Sequence, residues 1–203
     1  MDPNQNPTQN QYPIDYLNQI SSQPKQPTVN SKWVFALIGG VILIAIFAVF
    51  ALSNTGSGPT QKMQTLAARL VTLQKVSGDA QKNLKSGELR SINSNLTLYL
   101  ANTNRDLVEP FGKNGVDAKK LDKNIVTKEN GEALTKKLED ARLNAVFDRT
   151  YAREMTYQLQ TVTALMKDIY NGSKKSLKDF LSKTDEGLQP LKKQLSDFNA
   201  ANG

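Results

Sequence analysis

Between residues 61 and 203 the apolar positions recur at every third or fourth residue, the period of a helix with one buried face. Met63, Leu66, Leu70, Leu73, Ser77, Ala80 and Leu84 trace a first helix. The phase resets at Ser86 and Gly87, and Leu89, Ile92, Leu96, Tyr99, Thr103 and Leu107 trace a second. A third stripe runs from Leu134 through Leu138, Ala141, Ala145, Asp148, Ala152, Met155, Leu159, Val162 and Met166 to Ile169, with no break in its spacing. Asn171, Gly172 and Ser173 stop it, Gly suiting the C′ position and Ser the next N-cap. Leu177, Leu181, Thr184, Leu188, Leu191, Leu195 and Phe198 trace a fourth, which Pro190 is expected to kink or restart. No alternating apolar run suggests a sheet.

Helices with narrow stripes bury one another and little else. The fold class expected is therefore all-α, an antiparallel four-helix bundle with a ferritin-like long crossover between helices two and three. That crossover is EPFGKNGVDAKKLDKNIVTKEN, residues 109–130. A short helix is expected around residues 118–124, with Val116, Leu121, Ile125 and Val126 packing the segment down; the alternative is a mobile functional loop. The third stripe would be about 60 Å long as one straight helix. It either projects past its neighbours or bends near residues 144–148.

A different pattern precedes the bundle. WVFALIGGVILIAIFAVFAL, opening at Trp33 and closing at Leu52, has no charged residue, and as a helix spans about 30 Å, the hydrocarbon thickness of a bilayer. Trp33 sits where an amphipathic ring prefers the interface. The run is too long for a cleaved signal peptide and is too uniformly apolar for a soluble helix, so residues 33–52 are read as a retained transmembrane helix. Lys32 abuts it on the N side, which places the N-terminus in the cytoplasm and the bundle outside, in a single-pass cell-membrane protein of bacterial type. Ala36 and Gly40 form one small-residue pair, expected by chance in such a span. Residues 1–32 are rich in Asn, Gln, Pro and Ser and read as a disordered tail, too short and polar for an output domain. Residues 53–60 read as a linker, with Pro59 suited to the first helical position. The domain plan is thus a tail 1–32, a span 33–52, a linker 53–60 and a bundle 61–203.

Charge and chemistry narrow the function. The net charge is +7, and because residues 1–32 balance and 33–52 carry none, the whole excess lies beyond residue 52. Doublets at Lys119-Lys120, Lys136-Lys137, Lys174-Lys175 and Lys192-Lys193 read as solvated faces, or as a surface for anionic lipid or wall polymer. No nucleic-acid motif accompanies them. The chain has no Cys and no His, which removes the usual zinc ligands and the thiol and Ser-His nucleophiles. No cofactor is expected.

One stretch invites chemistry. FDRTYAREMTYQLQ, residues 147–160, places Asp148 on the core phase and Glu154 off it. A buried carboxylate must be paired, so Arg69, Arg90, Arg105 or a Tyr hydroxyl is expected to reach Asp148, with Arg149, Arg153 and Glu154 toward water. Asp148, Tyr151 and Arg105 are the candidate buried polar site. Phe147, Asp148, Tyr151 and Met155 resemble the core-helix pattern of exported ferritin-like four-helix bundles, the branch with a Met-x-x-His-His signature. The resemblance covers about a quarter of the chain, from Phe147 to Phe198. It implies a bundle fold, but Gln158 and Leu159 stand at the two His positions, and Gln189 is followed by Pro190-Leu191-Lys192 where the family carries a second ligand pair. The family's metal chemistry is therefore not implied. The expectation is a protein without a catalytic site: a membrane-anchored bundle that binds an envelope partner as a scaffold. The alternative is a sensor-like or small-molecule-binding bundle relaying occupancy to the membrane.

Overall fold

A computed structural model describes residues 58–202. The tail and the apolar run at residues 33–52 lie outside the described residues. Within them every element is a helix: α1 Pro59–Ala80, α2 Gly87–Asp106, α3 Val108–Gly112, α4 Lys123–Lys128, α5 Glu132–Leu143, α6 Phe147–Asn171 and α7 Lys175–Ala201. No described helix is long and apolar enough to cross a membrane.

The local signals explain most boundaries. Pro59 occupies the start of α1, where its missing N–H costs nothing. Ser86 caps α2 by accepting from the Leu89 amide at 3.3 Å, and Glu88 favours the same end of the helix dipole. Asp122 caps α4 through the Asn124 amide at 2.7 Å. The short crossover helix thus begins at residue 123, not near 118, because that is where a capping side chain stands. Val116 is buried and Leu121 is packed against the core, but Val126 is exposed.

The third stripe does not form one helix. α5 stops at Leu143 and α6 starts at Phe147. Between them Ala145 has φ +59, the Val146 amide donates to Ala141 O at 2.9 Å and the Ala145 amide to Arg142 O at 3.3 Å. These are the two bonds of a Schellman cap, closed by an alanine where glycine is usual. At the other end of α6, Gly172 keeps φ at −97° and Ser173 donates its hydroxyl to Ile169 O at 2.6 Å, so neither plays its expected part; Lys174 precedes α7 without a side-chain cap. α7 continues through Pro190 as one element.

α1, α2, α7 and α6 pack as a ring, each against the next, and α5 lies on α6. Lys62 at the start of α1 pairs with Asp168 near the end of α6, at 2.6 Å, while Asp148 at the start of α6 meets Lys85 and Ser86 just past α1. α1 and α6 therefore run in opposite directions. Tyr99 of α2 bonds Lys183 and Thr184 of α7, and Phe111 just past α2 meets Phe180 edge-on at 6.1 Å, so α2 and α7 are also opposed. α2 and α6 then point the same way, and residues 107–146 return the chain along α1 between them. The predicted stripes are buried throughout α1 and α7. Ala145 alone of the third stripe's apolar positions is exposed, being the turn residue.

Candidate functional site

Asp148 occupies the first turn of α6, at the end of the bundle rather than in its middle. Its carboxylate accepts from the Lys85 amide at 3.0 and 3.1 Å and from the Ser86 amide at 2.7 Å. It thus stands at two helix N-termini, its own and that of α2, where orphan amides and aligned dipoles favour an anion. The expected arginine partner is corrected: the break at residues 144–146 brings Asp148 to the level of the α1–α2 turn, where backbone amides satisfy it. Arg69 pairs elsewhere. Arg105 sits in the last turn of α2, about 30 Å along that helix from Ser86; it is exposed and, among the described residues, bonds only its neighbour Asp106, at 2.9 Å. The structure brings Asp148 and Tyr151 to one end of α6 and leaves Arg105 at the opposite end of α2.

Tyr151 is fully buried, with its ring stacked on Phe147 at 6.2 Å. Its hydroxyl donates to Asn93 Oδ1. The Asn93 amide nitrogen donates to Ser77 O at 2.9 Å and to the Gln81 side chain. Thr97 donates to Ser77 Oγ at 2.9 Å, and Ser77 in turn to Gln74 O. A polar seam therefore runs through the α1–α2 contact and ends on α6. Burial pushes the Tyr151 hydroxyl well above the ordinary phenol range, so it stays a neutral donor. Asn93 escapes the sequence reading because it is polar, yet Leu89, Asn93, Leu96, Leu100 and Thr103 follow the alternating four-three spacing of a helix seam, and all are buried. α2 has two such seams, one toward α1 and one, through Ile92 and Tyr99, on the side that meets α7.

Glu154 is the second surprise. It is buried, and it accepts from Lys137 of α5 at 2.7 Å and from Arg153 at 3.2 Å. Its expected place toward water is overturned because α5 covers that side of α6.

The remaining polar concentration is a cleft of about 280 Å³ between α1, the α4–α5 turn and α6. Arg69 forks onto Glu129 at 2.7 and 3.2 Å, and Thr72 donates to Glu129 O at 2.6 Å. Gly131 follows at φ +73; a Cβ there would come within 2.5 Å of Thr72 Cγ2, so only glycine fits the turn against α1. Tyr157, Gln158 and Thr161 of α6 close the cleft. Gln158 thus faces polar surroundings, while Leu159 lies in the core. Among the described residues no group of three or more His, Cys, Asp or Glu side chains is placed to hold a metal ion. The polar seam holds amides, hydroxyls and a neutral phenol, which orient helices but supply no paired acid and base. No known protein family, curated protein or solved structure matches the chain.

Proposed function

We propose that this chain is a single-pass, membrane-anchored helical bundle, held outside the cell membrane with its N-terminus in the cytoplasm. It acts by binding an envelope protein partner as a scaffold, without a catalytic site of its own. The observation that carries this is the uncharged run from Trp33 to Leu52, long enough for the hydrocarbon core and followed within a few residues by α1. The bundle is proposed to be ferritin-like in topology. In support, α2 and α6 run the same way, joined by a long crossover. Gln158 and Leu159 stand at the two His positions of the family it resembles, so that family's metal chemistry forms no part of the proposal. The cleft at Arg69 and Glu129 favours the second reading, a bundle that senses a small polar ligand.

The tether is tested by alkaline extraction of native membranes, with protease added to intact cells. Retention in the pellet and cleavage within the bundle are expected. A chain released by alkali, or one protected from external protease, would refute the anchor or its orientation. The scaffold reading is tested by photo-crosslinking from exposed bundle positions of the full chain in cells. Discrete adducts with a protein support it; none at any position would count against it.

A further inference from the structure

The end of the bundle at which α1 begins is unlike the other end in charge. The Asp122 amide donates to the Gln64 side chain at 3.1 Å, and Gly58, Gln61 and Asn124 line a shared recess. Phe111 against Phe180, and Lys62 against Asp168, bring residues 113–123, the end of α6 and the start of α7 to that same end. Residues 113–123 and 174–179 hold seven lysines against three aspartates, a net +4 of the chain's +7. Lys119, Lys120, Lys123 and Lys174 are exposed, and none forms an ion pair among the described residues. Tyr170 is 40% exposed beside them, with the Lys178 ammonium 5.1 Å from its ring centroid. An exposed Tyr among lysines has the chemistry of a bilayer interface, where the ring sits at headgroup depth and the ammonium groups meet phosphate.

We infer that this end face binds the phosphate headgroups of anionic lipids and seats the bundle on the bilayer surface. The inference rests on residues 33–52 being the tether. Residues 53–58 reach at most about 20 Å when extended, so the face that carries the start of α1 is delivered to the headgroups. Docking then needs only short-range attraction, which salt screens over about 8 Å.

The test uses the full chain reconstituted in vesicles of phosphatidylcholine alone or mixed with phosphatidylglycerol. A membrane-impermeant amine reagent is added and each lysine is followed by mass spectrometry. Labelling at Lys119, Lys120, Lys123 and Lys174 is expected to slow roughly fivefold in the anionic vesicles. High salt should restore it, and Lys82 and Lys85 in the α1–α2 turn should not change. Equal labelling in the two vesicle types, or equal protection of Lys82 and Lys85, overturns the headgroup face. Release of the chain from both vesicles by alkali would instead refute the tether. In that case the released chain is mixed with anionic vesicles: protection at the same four lysines upholds the face, and its absence overturns it.

Discussion

Gly187 gives the sharpest test of the packing, because sequence and structure predict opposite signs. It lies inside α7, where Gly→Ala ordinarily stabilises a helix by about 1 kcal/mol. In this bundle a Cβ at Gly187 would lie 2.1 Å from the Tyr99 hydroxyl oxygen and 2.4 Å from Cζ. A ring cannot yield as a flexible chain end does, so Tyr99 must leave its place. Its bonds to Lys183 O and Thr184 O, at 3.2 and 3.1 Å, go with it. Overpacking costs about 2 kcal/mol and the lost hydrogen bonding about 1 kcal/mol; set against the propensity gain, Gly187→Ala should destabilise by about 2 kcal/mol. For a chain of this size that lowers Tm by about 6 °C, measurable by circular dichroism on the full chain in mild detergent. In a Tyr99→Leu background the obstruction is gone, and the same substitution should turn neutral or stabilising. A Gly187→Ala protein that melts higher than wild type in the original background would refute the close packing of α2 on α7.

Ala145→Gly should stabilise by about 0.5–1 kcal/mol, since the left-handed conformation strains an L side chain by about 1–2 kcal/mol and glycine returns part of that as chain entropy; a urea midpoint that falls would contradict the Schellman turn. Asp148→Ala should cost about 1–2 kcal/mol through loss of the cap on the Lys85 and Ser86 amides, and Arg105→Ala, within about 0.5 kcal/mol of wild type, should show no coupling to it in a double-mutant cycle. Tyr151→Phe should cost about 1–3 kcal/mol by leaving Asn93 Oδ1 buried without its donor. The same hydroxyl sets an alkaline limit: its folded pKa is raised, so its contribution is full below about pH 10 and is lost above it, as the unfolded tyrosine ionises and the folded one does not. Stability should therefore fall by up to about 1.4 kcal/mol per pH unit for this group above that point, and Tyr151→Phe should flatten that limb in urea titrations at stepped pH.

Helix content and the buried faces of α1 and α7 were legible from spacing alone, because a single-sided helix must repeat its apolar residues at the period of the backbone. The reset at Ser86 and Gly87 was legible as a boundary, but the caps that Ser86 and Asp122 make were not read from the sequence. The break at residues 144–146 was legible only as a length that did not fit, since Ala145 carries no signature of positive φ. Three features needed the tertiary structure. Asp148 found backbone amides instead of an arginine because the Schellman turn moved it to the α1–α2 end. Glu154 became buried because α5 folded onto the outer side of α6. Asn93 joined Tyr151 because the α1–α2 contact that holds its amide ends against the start of α6. Local sequence sets which face of a helix avoids water; which polar group meets which is fixed only when separate helices are brought side by side, and that depends on contacts between residues as far apart as Lys62 and Asp168.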